Sequence, residues 1–130
     1  MRVSGKVKKG LRIGTALGYP TANIECGAAT LPAKGVYAAT VFMRDGIYQG
    51  VAVIGTRYEE KRPLVEVHIF GVHGKLYGKT LDIEIHDKIS DVEKLESHQL
   101  VRKIEGDIRK ARAWFLSKSG KSGKASKSGA

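Results

Sequence analysis

The chain has 130 residues, which is room for one well-packed domain and too few for two. Hydrophobic residues make up 42% of it, enough for one core, yet no apolar run is long enough to cross a bilayer, and Met1 to Lys6 lack the apolar stretch of a signal peptide. The net charge of +10 suits an anionic ligand, either nucleic acid or a polyphosphate, although Lys118, Lys121, Lys124 and Lys127 carry part of it in a tail without acids.

In chain order, the first informative segment is Gly14 to Asn23 (GTALGYPTAN). Gly14 and Gly18 let the backbone approach a bulky anion closely, and exposed N–H groups in such a turn cradle phosphate oxygens. Pro20 keeps Tyr19 extended. Thr21 and Asn23 offer a hydroxyl and an amide oxygen on one side of an extended stretch, which suits a Mg²⁺ that takes its other ligands from phosphate and water. Without further context the segment also reads as an ordinary turn. Cys26 is the only cysteine, so no intrachain disulfide forms. It reads as a packing residue and points to a reducing compartment, the cytoplasm.

Strands follow. Gly35 to Arg44 is rich in β-branched and aromatic residues, Asp45-Gly46 is a two-residue turn signal, and Ile47 to Gly55 returns. Leu64 to Phe70 alternates Val65, Val67 and Ile69 against Glu66 and His68. Gly74 to Thr80 ends in GKT, but only three residues separate its glycines where a P-loop needs four. Lys79 and Thr80 are expected instead to open a strand. Leu81 to His86 alternates again. Ser90-Asp91-Val92-Glu93 fits a capping box and a short turn or helix. Val101, Ile104, Ile108, Ala111 and Phe115 form one stripe at helical spacing, with Ser97 as N-cap. The composition predicts a domain over 1–116 and a disordered Ser/Lys/Gly tail over 117–130. Short antiparallel strands followed by one helix predict a mainly β barrel or sandwich.

The segment LGYPTANI resembles the LGxPTAN signature of riboflavin kinases, including the kinase half of bifunctional FAD synthetases. Gly35-Val36-Tyr37, Gly50-Val51-Ala52, Val65-Glu66-Val67-His68-Ile69, Leu76-Tyr77-Gly78-Lys79 and Ile104-Glu105-Gly106-Asp107 resemble further family segments in the family's order. The resemblance implies a six-stranded antiparallel Greek-key barrel with a C-terminal α-helix. It implies transfer of the γ-phosphate of ATP to riboflavin, giving FMN and ADP, with Mg²⁺ as cofactor. Thr21 and Asn23 would hold Mg²⁺–ATP. Glu66 would be the general base, a role a strand glutamate would not suggest by itself. His68 would be a surface residue or a support for the site.

Some positions depart from the family pattern. Thr15 stands where many relatives have Arg, and Arg12 is near enough to supply a phosphate-facing charge instead. Val53 stands where Asn is frequent, Tyr58 where Pro is, and Lys75 where Asp is. Ser90 replaces an Arg, and Leu95 a Phe, in the segment that helps close over the flavin. The resemblance does not extend to an adenylyltransferase module, so the expected product is FMN and not FAD, made by a monomer. Two other readings stay open: a barrel that binds flavin or nucleotide without turnover, and a basic barrel that binds nucleic acid through aromatic platforms. The second is disfavoured by an aromatic content of only 7%.

Overall fold

A computed structural model describes residues 1–8, 18–26, 31–57, 62–72, 76, 78–93 and 95–121. Six strands appear in order: β1 (Arg2–Lys8), β2 (Ala22–Glu25), β3 (Gly35–Met43), β4 (Gly46–Arg57), β5 (Arg62–Ile69) and β6 (Thr80–Ser90). A helix, α1 (Ser97–Lys121), follows among the described residues. The strands close into an antiparallel barrel in the order β1-β2-β5-β4-β3-β6. Strands β3, β4 and β5 form a meander, and β6 returns beside β3, which is a Greek key. The expected six-stranded barrel with a C-terminal helix is therefore the observed fold.

Alternation explains which side chains fill the barrel. Val41, Val65, Val67, Leu81 and Ile83 are fully buried and point inward, as the period of two requires. Val3 and Val7 join them from β1, with Gly5 between. A Cβ on Gly5 would meet the Glu25 carbonyl oxygen and the Ile24 side chain, so only glycine lets β1 cross this close to β2. Cys26 is half-buried against the same interior, and burial pushes its thiol pKa up, which disfavours the reactive thiolate.

Helix α1 covers the outside of the barrel along β3, β4 and β6. Ile108, Ala111 and Phe115 of the expected stripe, joined by Trp114, pack on Val36, Ala38, Val51 and Phe70. Ser97 lies inside the first turn rather than at the cap. Glu96 holds the cap position: its carbonyl accepts from Leu100 N–H at 2.7 Å, and its N–H donates to Gln99 Oε1 at 3.3 Å. The helix continues through Ser117 to Lys121, residues that composition assigns to the tail; residues 122–130 lie outside the described ones.

Three local expectations shift. The β3–β4 turn is Arg44-Asp45, one residue early, because Met43 pairs with Gly46. Strand β6 opens at Thr80; Lys79 still belongs to the preceding turn, its N–H donating to the Leu76 carbonyl at 3.1 Å. Ser90 ends β6, and Asp91 to Glu93 form no helix. The Ser90 side chain is engaged by α1 and is not available to cap a turn of its own.

Candidate active site

Ala22 and Ile24 fill the barrel interior, so Asn23 between them faces outward. Val65 and Val67 likewise send Glu66 outward, and Val67 and Ile69 send His68 the same way. The register places Asn23 opposite Glu66, Glu66 opposite Val53, Val53 opposite Val36, and Val36 opposite Ser90. One row across the outer face thus joins the expected metal ligand, the expected base and the expected flavin contact. At about 4.8 Å between strands the row spans roughly 19 Å from Asn23 to Ser90. Asn23 is only 8% exposed although it faces outward. Thr21 is half-buried just ahead of β2, two residues before Asn23.

The approach to β2 is pinned from two sides. Gly18 sits in a turn at φ 94°, a conformation that favours glycine. His68 Nδ1–H donates to the Pro20 carbonyl at 2.7 Å, since a carbonyl can only accept. The Tyr19 hydroxyl donates to Glu105 Oε2 of α1 at 2.6 Å. That hydrogen bond, together with partial burial and the nearby carboxylate charge, raises the Tyr19 pKa above its ordinary value. The Tyr19 ring also meets the His68 ring edge-on, at a centroid distance of 6.0 Å. Gly14 and Arg12, expected to face phosphate, lie outside the described residues, as do Thr15, Tyr58 and Lys75.

At the other end of the row, Ser90 Oγ donates to Asp107 Oδ1 at 2.6 Å. Lys103 Nζ donates to Ser90 Oγ at 2.9 Å and to Asp107 Oδ2 at 2.8 Å. These groups line a groove of about 430 Å³ between the end of β6 and α1, with Arg102, Gly106 and Lys110 on its helix side. Leu95 is half-buried ahead of α1 but does not line this groove. Sequence reasoning missed Lys103, Asp107 and the Tyr19–Glu105 bond. The i, i+4 spacing of Lys103 and Asp107 was a usable signal for the first two. No local pattern announces the third, whose partners are 86 residues apart.

A barrel with this row and this connectivity can be set against known proteins. The family described as flavokinase, riboflavin kinase, matches residues 1–115. The chain belongs to the riboflavin kinase family. Its relatives in that family include the bifunctional riboflavin kinase/FMN adenylyltransferase of Haemophilus influenzae, 37% identical over 120 residues, which are 89% of this chain and 39% of that one. The Escherichia coli K12 protein of the same description is 35% identical over 117 residues, 87% of this chain and 37% of that one. The chain thus spans about two-fifths of the length of these relatives. A solved structure described as a macrolide-efflux protein from Streptococcus pneumoniae superposes with a TM-score of 0.80 at 31% identity, over 87% of this chain and 38% of that one. The riboflavin kinase of Trypanosoma brucei shares the fold, with a TM-score of 0.60 at 24% identity, over 88% of this chain and 79% of that one. Among the described residues, no helix of this riboflavin kinase family member is long and apolar enough to cross a membrane.

Proposed function

We propose that the protein transfers the γ-phosphate of ATP to the 5′-hydroxyl of riboflavin, giving FMN and ADP. The observation that carries this reading is the register pair Asn23–Glu66 in a riboflavin kinase family member. It sets a carboxylate beside a neutral oxygen donor on one outer face. Glu66 accepts the proton of the 5′-hydroxyl as that oxygen attacks the γ-phosphorus, and the bond from phosphorus to the ADP oxygen breaks. Phosphoryl transfer is mostly positioning and charge neutralisation, so a shaped site with one base is sufficient machinery.

The residues present fit Mg²⁺. Thr21 and Asn23 are hard, neutral oxygen donors. Two neutral donors suit a cation that arrives with the nucleotide and keeps phosphate and water ligands. When bound, the ion neutralises charge on the phosphate oxygens. Gly18, Pro20, Gly14 and Arg12 belong to the phosphate side of this reading. The groove at Ser90 takes the flavin, with Leu95 at its flank. The protein works as a cytoplasmic monomer.

The test is FMN formation from riboflavin, ATP and Mg²⁺, compared with Glu66→Gln. The expected loss in the variant is about 10²- to 10⁴-fold in kcat, with MgADP binding retained. Full activity in Glu66→Gln would remove the base. No FMN from the wild-type chain, with riboflavin still bound, would make it a flavin-binding barrel.

A further inference from the structure

Helix α1 packs on β3, β4 and β6. The strands that carry Asn23 and Glu66 are β2 and β5. Among the described residues, polar and ring contacts reach from the helix toward that side. One is the hydrogen bond from Tyr19 to Glu105. The other is a relay of rings: the Arg112 guanidinium lies 4.2 Å from the Phe70 centroid, Phe70 meets His68 edge-on at 5.8 Å, and His68 meets Tyr19 at 6.0 Å. Both routes end on Tyr19, one residue before the proline whose carbonyl His68 holds.

We propose that Tyr19 is a positioning residue for the phosphoryl transfer assigned above, fixing the Gly18–Thr21 segment, and through it Asn23 against Glu66, by bonding to Glu105 and packing on His68. This rests on the proposed reaction but uses different atoms. The Tyr19 hydroxyl gives its proton to Glu105 of the helix, so it has none left to donate to phosphate or acceptor. Its effect is on the order of the segment before β2. With the bond intact that segment is ordered before the nucleotide arrives. Without it, nucleotide binding has to order the segment, and affinity falls by that amount. The effect therefore falls on KM for ATP and on the affinity for MgADP, and much less on kcat at saturation.

The experiment compares Tyr19→Phe, Glu105→Ala, Glu105→Gln and the double variant Tyr19→Phe/Glu105→Ala, by steady-state kinetics in ATP and by calorimetric titration with MgADP. Tyr19→Phe keeps the ring and the His68 contact, so the fold is retained. We expect Tyr19→Phe and Glu105→Ala each to raise KM for ATP and Kd for MgADP about fivefold to tenfold, as for loss of a partly exposed hydrogen bond to a charged group. The double variant should be no worse than either single one, and Glu105→Gln, which keeps an acceptor oxygen, should recover most of the loss. Changes under twofold in both single variants, or effects that multiply in the double variant, would overturn the proposal. If the wild-type chain makes no FMN, the reaction assigned above fails, and the same MgADP ratios still decide the role of Tyr19.

Discussion

Replacing Lys103 by Met keeps most of the volume of the side chain and removes its charge. In the structure Lys103 and Asp107 have side chains that are 16% and 11% exposed, and Ser90 completes a three-way contact with them. Breaking a fully buried ion pair costs about 3–5 kcal/mol, because the remaining charge is left without its partner. Here Ser90 still donates to Asp107, and some solvent reaches both groups, so about 2–3 kcal/mol is the expected cost of Lys103→Met. For a domain of this size that is a fall in Tm of roughly 8–12 °C. Removing the orphaned carboxylate as well, in Lys103→Met/Asp107→Leu, should bring stability back to within about 1 kcal/mol of the wild type. Thermal unfolding followed by circular dichroism, with urea midpoints at neutral pH, reads both. A single variant within about 0.5 kcal/mol of the wild type, or a double variant no better than the single one, would show that solvent already screens this pair and refute the reasoning.

Other outcomes are expected. Asn23→Ala should weaken the dependence of turnover on Mg²⁺ by raising the metal concentration needed for half-maximal FMN formation; an unchanged metal titration in this variant and in Thr21→Ala would misplace the metal. Gly50→Ala should destabilise by about 1–3 kcal/mol and lower activity with it, since the new Cβ would press on the His68 carbonyl oxygen and part β4 from the strand that holds Pro20. His86 accounts for a pH dependence. Its ring stacks on Trp114 at 4.7 Å and lies 2.8 Å from Thr40 Oγ1. Burial lowers its pKa below the ordinary 6.5; Glu84 and Asp87 oppose this, while the amino terminus and Lys118 add to it. Below pH 6.5 the unfolded chain takes up this proton before the folded one does, so stability falls as pH drops from 6.5 toward the lowered folded value. Urea midpoints measured between about pH 5 and 8 should show that slope, and His86→Gln should flatten it.

Strands β5 and β6 are legible because their inward residues alternate with outward ones, as in Val65-Glu66-Val67-His68-Ile69, whereas β3, buried along most of its length, and β4 are legible from their β-branched and aromatic residues around a turn signal. Strand β1 is not, because only Val3 and Val7 are apolar and the inward position between them is Gly5, whose reason is the approach of β2. Strand β2 has four residues and hides inside a segment that reads as a turn. The site divides in the same way. Thr21 and Asn23 are candidates from their oxygen donors in an extended stretch, a reading that an ordinary turn shares until the resemblance to known kinases is added, and Glu66 comes from that resemblance alone. Their adjacency depends on which strand pairs with which, and pairing β2 with β5 is a property of the closed barrel. Ser90 stands out in sequence as a departure from the family pattern. Its bonds to Lys103 and Asp107 show that a hydroxyl at this place holds the helix to the barrel.

The brevity of β2 has a consequence for dynamics. It is held by three registered pairs on the β1 side and three on the β5 side, whereas β3 and β4 share nine. With so few registered pairs, β2 is expected to open locally at a free energy below that of global unfolding. This strand also carries Asn23. Amide hydrogens at Ala22 to Glu25 should therefore exchange through local opening in the free protein, and a nucleotide that engages Asn23 should slow them selectively. Exchange at this strand would then report occupancy of the proposed site, because a ligand that engages Asn23 in the closed barrel draws the population away from the opened form.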